Sequence, residues 1–323
     1  MAGIAEPREI TEQTKELRQA PAEDHFPPLG PLARRLERPE VLGYLMVAPA
    51  LLLLIVLLGY PFIQAVWLTM LDKRVGVEGN FIGLGNYIDL WSDQVYRWTV
   101  MNTMIFTAVS VVCKVVFGLS GALILNQAFR MKNFFRGFIL LPWIIPSVLS
   151  ALVWLWMYDD TFGVISRTLI AFGLIEEKIL WLSQWGIALT SIIIVNVWRT
   201  MPFFIVSLLA ALQTVPKDQY EAAEIDGANL LSQFWNVTLP NIKHVLIIVT
   251  LFGTIWTMSD FNIIFVLTSG GPANSTHVFS TLAYQYALGA GKLGEGIAVS
   301  FTMFPLLFVI IFYRLYRMRR DPT

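Results

Sequence analysis

The chain has 323 residues, of which 56% are hydrophobic and only 14% are charged, and its formal net charge is zero. This composition is too apolar for a soluble domain, and the lack of excess basic charge argues against a nucleic-acid partner. A single cysteine excludes an intrachain disulfide, and neither it nor the three histidines have the spacing of a zinc site. We therefore expect a protein that resides in a lipid bilayer.

Residues 1–33 differ from the rest of the chain because they are polar and contain five prolines. Such a segment cannot bury enough apolar surface to fold, so we expect a disordered tail. The first apolar run begins too late and is too long to be a cleavable signal peptide.

Six apolar blocks follow the tail, and each is long enough for a span of about 20 residues. The blocks cover residues 41–70, 99–125, 134–158, 185–212, 244–268 and 297–316. They predict an all-α membrane protein with six transmembrane helices between residues 34 and 323. Pro49 and Pro61 lie inside the first block and predict a kink or a tilt there.

Basic residues concentrate in three segments, 34–38, 130–136 and 314–320. By the positive-inside rule both termini are cytoplasmic, and so is the polar connection 213–243. The opposite ends of the spans carry tryptophans typical of an aromatic belt, namely Trp91, Trp98, Trp181 and Trp185.

The cytoplasmic connection contains the sequence EAAEIDGANLLSQFWNVTLP at residues 221–240. Its first four residues favour a helix, and Gly227 permits a left-handed turn. Pro240 suits the first turn of a following helix, where its missing N–H costs little. The pattern therefore predicts a helix, a turn and a second helix that leads into a span.

This spacing resembles the loop shared by permease subunits of bacterial ABC importers: E-A-A, three residues, G, nine residues, I, any residue, L-P. Val237 replaces the isoleucine. The resemblance implies a type I importer permease fold whose loop docks onto an ATPase subunit. The residues implied in coupling are Glu221, Ala222, Ala223, Asp226 and Gly227. A chance match on a solvated loop is the alternative interpretation.

Three further segments resemble carbohydrate permeases of the maltose type: 81–87 (FIGLGNY), 196–203 (NVWRTMPF) and 267–272 (LTSGGP). The resemblance implies a sugar substrate, with a disaccharide or oligosaccharide favoured. It also implies a second homologous permease, two copies of a cytoplasmic ATPase, an extracytoplasmic solute-binding protein and a bacterial plasma membrane. The chain has no G-x-x-x-x-G-K-[ST] sequence, so ATP and Mg²⁺ are expected on the partner ATPase and no enzyme activity is expected here.

The family holds its sugar between the two spans that flank the loop. Carried over through the motifs, the implied contacts are Asn196, Arg199, Thr200, Phe203, Gly253, Trp256, Thr257 and Asp260. Polar groups for hydroxyls and aromatic rings for the sugar face suit this ligand. Trp256 and Asp260 are four residues apart, which predicts one shared helix face.

Several alternatives stay open at this point. Arg199 and Asp260 either contact substrate or pair with each other to hold two helices together. Lys114 either packs against a neighbouring helix or lines the path. The solute could be a glycerol phosphate, a polyol or another small molecule. A membrane enzyme would need clustered catalytic groups, and a secondary transporter would have no use for the ATPase loop.

Overall fold

The computed structural model describes residues 39–128 and 130–320, so the predicted tail 1–33 lies outside the described part of the chain. The helices are α1 (Pro39–Leu54), α2 (Tyr60–Thr69), α3 (Gly85–Ser92), α4 (Gln94–Asn126), α5 (Lys132–Ile144), α6 (Ser147–Met157), α7 (Val164–Ala171), α8 (Ile187–Leu212), α9 (Lys217–Ile225), α10 (Leu230–Gln233), α11 (Leu239–Met258), α12 (Asn262–Leu267), α13 (Phe279–Tyr284) and α14 (Leu293–Arg320). Two short antiparallel strands, β1 (Leu71–Asp72) and β2 (Asn80–Phe81), form one hairpin.

The first span is a single helical run, Glu40–Thr69, which contains a π-helical turn at Ile55–Gly59. The turn directly precedes Pro61, which has no N–H and whose ring crowds the preceding turn of an α-helix. A wider turn relieves both problems without ending the helix. Residues up to Ile63 form a unit of their own, which is apolar and exposed along its described length.

The remaining unit, from Gln64 onward, is built around the parallel pair α4 and α8. Two glycines of α4 face α8 at close range: a Cβ at Gly118 would lie 2.6 Å from Cβ of Phe204, and one at Gly121 would lie 2.9 Å from Ile205. Small residues at a helix crossing let helix backbones approach closely inside a membrane. The two glycines therefore mark the closest approach of α4 to Phe204 and Ile205 of α8.

Helix α11 crosses this pair in the opposite direction. Its first residues pack with the last turns of α4 and α8, where Ile242, Leu125 and Leu212 share one apolar cluster. Its last turns approach the middle of α8, because a Cβ at Gly253 would lie 2.4 Å from the ring of the fully buried Phe204. The two spans that flank the polar loop thus lie side by side.

The block 134–158 does not form one helix, which corrects the third predicted span. Its two halves, α5 and α6, meet at a bend of 92°. Ile145 and Pro146 adopt extended backbone angles at this bend. Pro146 disfavours a helical conformation in the residue before it, so the helix ends there. Five helices of the described residues are long and apolar enough to span a bilayer, and six if this bent pair counts as one.

The fifth predicted span, 244–268, is also interrupted. Helix α11 ends at Met258, and α12 begins at Asn262. Asp260 therefore lies in the break and not on the helix that carries Trp256, so the predicted shared face is wrong. The sixth block extends at both ends, since α14 covers Leu293–Arg320.

Candidate functional site

The polar loop folds into a closed hook. Helix α9 ends at Ile225, and Gly227, two residues later, has a left-handed φ of 79°. The Ala228 N–H donates to the Ala223 carbonyl at 2.9 Å, and the Gly227 N–H donates to the Glu224 carbonyl at 3.0 Å. This pair of bonds is the Schellman motif, in which glycine at the left-handed position satisfies the last helix carbonyls. The predicted turn is present.

The second half of the hook runs without a gap into α11. Asn229 is the N-cap of α10, because its side-chain oxygen accepts a hydrogen bond from the Ser232 N–H at 2.8 Å. A π-helical turn at Phe234–Thr238 joins α10 to α11 just before Pro240. Tyr220 binds Thr238 across the hook, with their hydroxyl oxygens 3.0 Å apart. The helix therefore continues past the proline as one run from Leu230 to Met258.

The predicted coupling residues lie on the open surface of the hook. Glu221, Ala222, Asp226 and Gly227 are exposed, and Ala223 is half-buried. Sequence reasoning missed the apolar side chains around them. We call the following four exposed residues the apolar patch: Ile225, Leu230, Leu231 and Trp235.

These four side chains are 58–87% exposed. Their signal in the sequence was the presence of large apolar residues within an otherwise polar connection. Large apolar side chains left exposed this close together in the chain favour an interaction site.

Within the membrane, a hydrogen bond joins α8 to the break after α11. The Asn196 side-chain nitrogen donates to Asp260 Oδ2 at 2.8 Å, and Ser280 Oγ donates to the Asp260 backbone carbonyl at 2.7 Å. Asn196 is fully buried. Asp260 thus connects α8 with α13.

Arg199 does not pair with Asp260, since no ion pair joins them in the described structure. Its Nε is buried without a hydrogen-bond partner in the described residues, and so is Oδ1 of Asn196. Unpaired buried polar atoms are costly, and each calls for water or a ligand that completes it. Both atoms are enclosed by the chain itself, so a ligand can reach them only after the surrounding side chains move.

Lys114 is buried and donates from Nζ to Thr257 Oγ1 at 2.7 Å, which links α4 to α11. The Thr257 hydroxyl itself donates to the Gly253 carbonyl at 2.6 Å. Thr200 likewise donates back to the Asn196 carbonyl on its own helix at 2.7 Å. This contact supports the interpretation that Lys114 packs against a neighbouring helix.

Aromatic rings close the other side of this region. The rings of Phe203 and Trp256 meet edge to face, with centroids 4.9 Å apart, and Phe252 lies 5.9 Å from Trp256. Trp256 remains 44% exposed, so it has a free surface. Gly253 instead packs against Phe204, so its role in this structure is in the contact between α8 and α11.

Of the eight predicted substrate residues, the structure joins Asn196 to Asp260 and Phe203 to Trp256. Thr257 instead bonds to Lys114 of α4, Thr200 bonds to its own helix, and Gly253 packs at the helix crossing. Among the residues described, no group of three or more His, Cys, Asp or Glu side chains is placed to hold a metal ion.

Two of the segments that resemble carbohydrate permeases, 81–87 and 267–272, lie in connections at the end of the bundle away from the hook. The buried Asn86 side chain donates to the carbonyls of Thr69 and Leu71, at 2.7 and 2.9 Å. In segment 267–272, Gly270 has a φ of 91°, and a Cβ at this residue would overlap the ring of His277. Burial lowers the pKa of His277 to about 4, so this ring is neutral at pH 7.

Known proteins resemble this chain over most of its length. A trehalose/maltose transport system permease protein of Thermococcus litoralis is 37% identical over 287 residues, which cover 88% of this chain and 96% of that protein. A sulfoquinovosyl glycerol transport system permease protein of Agrobacterium fabrum is 32% identical over 269 residues, which cover 83% of this chain and 87% of that protein.

A chain of a bacterial ABC transporter that imports the acidic polysaccharide alginate has a similar structure. Its TM-score is 0.77 with 21% sequence identity, over 90% of this chain and 99% of that one. At this identity the likeness shows the fold alone, and it confirms the predicted importer permease fold. The family model described as "Binding-protein-dependent transport system inner membrane component" matches residues 114–319. The chain therefore belongs to this family of inner membrane transport components.

Proposed function

We propose that this chain is the membrane-spanning permease subunit of an ATP-driven, binding-protein-dependent importer of a sugar. It forms the translocation path with a second homologous permease. Two copies of a cytoplasmic ABC ATPase bind ATP and Mg²⁺ and dock onto the hook. An extracytoplasmic solute-binding protein delivers the substrate, and this chain carries out no catalysis.

The apolar patch on the hook is the observation that carries this proposal. Side chains as large as Trp235 and Leu230 are expensive to leave in water, and tryptophan is enriched among the residues that contribute most to protein interfaces. The carboxylates of Glu221 and Asp226 lie beside them and supply acceptors for charge-assisted hydrogen bonds. Apolar anchors with a charged rim are what a docking element requires.

The orientation follows from the basic segments 130–136 and 314–320. With these segments in the cytoplasm, both termini and the hook face the side where ATP is available. The hook, the end of α4 and the end of α14 then share one side of the membrane.

The substrate passes between α8 and the break after α11. Arg199 Nε and Asn196 Oδ1 have no hydrogen-bond partner among the described residues and would become a donor and an acceptor for substrate once the helices separate, and Trp256 already offers a partly exposed ring. A sugar has hydroxyls for the first two and an apolar ring face for the third. This chemistry supports a sugar, as do the relatives named for trehalose, maltose and sulfoquinovosyl glycerol transport.

An importer of a glycerol phosphate or another anionic small solute is the second candidate. Arg199 favours it, because a guanidinium group binds phosphate and carboxylate oxygens well. Uptake assays with radiolabelled trehalose, maltose and glycerol phosphate distinguish the two candidates.

Co-purification with the ATPase tests the docking role. Leu231→Ser removes an apolar anchor from the hook and should weaken recovery of the ATPase. Leu174→Ser is the matched control, because Leu174 is 70% exposed and lies in the connection between α7 and α8, at the other end of the bundle. Equal recovery of the ATPase with both variants and with the unchanged chain would contradict the docking role.

A further inference from the structure

The connection between the first two spans contains a short helix whose exposed side is unexpectedly apolar. Leu84, Ile88 and Trp91 are 57–67% exposed, and they lie at or next to α3 with spacings of four and three residues. Residues at this spacing share one face of a helix. These three residues are called the apolar stripe.

Helix α3 has three distinct faces. Asn86 and Leu90 are buried against the bundle, and Asp89 and Ser92 are exposed and polar. At about 100° per residue, the polar face, the buried face and the apolar stripe lie roughly a third of a turn apart. A helix with a protein side, a water side and an apolar side is suited to a boundary between lipid and water.

The position of α3 is fixed at the ends of two spans. Asn86 binds the carbonyls of Thr69 and Leu71, where α2 ends. At the other end, the Trp91 ring meets Tyr96 of α4 edge to face at 5.3 Å, and Arg97 Nη1 donates to the Trp91 carbonyl at 3.1 Å. The helix therefore lies across the level at which two apolar spans leave the hydrocarbon region.

Exposed apolar surface continues from the span to this helix. Trp67 on α2 is exposed, and its ring stacks on Phe81 with centroids 5.6 Å apart. Phe81 is also exposed and is followed three residues later by Leu84, the first residue of the stripe. A lipid-facing side of a span is thus extended by aromatic and aliphatic side chains onto α3.

We infer that α3 is an interfacial helix whose apolar stripe is embedded in the headgroup and acyl boundary of the bilayer, on the side of the membrane opposite the hook. Trp67, Phe81 and Trp91 form the aromatic part of this contact, in keeping with the preference of tryptophan for membrane interfaces. Asp89 and Ser92 face water. The helix stabilises the depth of α4 in the bilayer, because its contacts with Tyr96 and Arg97 tie the start of α4 to the lipid surface.

Spin labels on two adjacent residues test this placement. In a Cys113→Ala background, which removes the single native cysteine, nitroxides are attached at Ile88→Cys or at Asp89→Cys as the matched control. The assembled permease complex is reconstituted in vesicles of phosphatidylethanolamine and phosphatidylglycerol. Power saturation with oxygen, which concentrates in lipid, and with a water-soluble nickel chelate then compares the two sites.

The label at residue 88 should be several-fold more accessible to oxygen than to nickel, and the label at 89 should show the reverse. Nickel-accessible labels at both residues would overturn the inference. A label at 88 that neither agent reaches would also overturn it, because that result indicates cover by a protein.

A second measurement serves if Ile88→Cys prevents assembly. Lipids brominated near the headgroup should quench the fluorescence of Trp91, read as the difference between the unchanged chain and Trp91→Phe. Quenching that is identical in the two proteins would overturn the interfacial placement.

Discussion

The turn at Gly227 allows backbone strain to be separated from side-chain contact. Its φ of 79° lies in the left-handed region, where an L-residue such as alanine costs about 1–2 kcal/mol. A Cβ at Gly227 would meet no atom of this chain within 4 Å. Within the permease, Gly227→Ala therefore adds strain and no clash.

This strain acts on the two hydrogen bonds that close the hook. Opening the hook frees the Ala228 N–H, which donates to the Ala223 carbonyl at 2.9 Å. A loss of about 1–2 kcal/mol in the free energy of opening accelerates amide exchange at Ala228 by about 5- to 30-fold. Hydrogen–deuterium exchange of the purified permease in nanodiscs, followed by mass spectrometry, measures this rate.

Gly227→Asn is the matched control, because asparagine enters the left-handed region more readily than alanine although its side chain is larger. Exchange at Ala228 should therefore be slower in the asparagine variant than in the alanine variant. Unchanged exchange in the alanine variant, or faster exchange in the asparagine variant, would refute the strain argument.

Three further outcomes are expected from the rest of the molecule. Thr257→Val removes the hydrogen bond that the buried Lys114 Nζ donates to Thr257 Oγ1 and should lower the stability to thermal unfolding by about 1–3 kcal/mol, whereas adding Lys114→Met should restore most of it; no recovery would contradict a structural link. Trp256→Ala should weaken uptake affinity by up to about tenfold at unchanged complex yield, and unchanged uptake would exclude ring stacking. Burial holds the pKa of His277 at about 4. Between pH 6.5 and 4 the imidazole is therefore protonated in the unfolded chain but neutral in the folded chain, so the free energy of unfolding should fall as the pH falls through this range. His277→Gln should flatten this pH dependence of the melting temperature, and an unchanged slope would refute it.

Local chemistry explains why the hook was predictable from sequence. A helix-favouring run, a glycine that must adopt positive φ and a proline near the start of the next helix each act within a few residues. The apolar patch was harder to recognise, because Ile225 and Leu231 look like ordinary buried residues until the fold leaves them exposed. Hydropathy alone does not predict which apolar residues of the hook are buried and which stay exposed.

The membrane site was less predictable because it depends on breaks in helices. The block 134–158 is apolar throughout, so hydropathy merges α5 and α6, and only Pro146 indicates the bend. Asp260 was placed on a helix face by its spacing from Trp256, yet the helix ends two residues before it. Its partner, Asn196, is 64 residues away in the chain, and no periodic pattern can identify a contact of that range.

One helical run connects the hook to the candidate substrate site. Leu230–Met258 contains 29 residues, which at 1.5 Å per residue is about 43 Å. Near its far end it crosses α8 with Gly253 against the buried ring of Phe204. Glycine at this crossing brings the two helices too close for either to slide without displacing Phe204, so the run can turn about this contact more easily than it can shift along it. Trp256 lies one turn beyond the crossing, on the opposite side of it from the hook. We hypothesise that a displacement of the hook turns this run about the crossing, which would move Trp256 in the opposite sense and alter its contact with Phe203; a Phe203–Trp256 separation that stays constant when the hook is displaced would contradict this hypothesis.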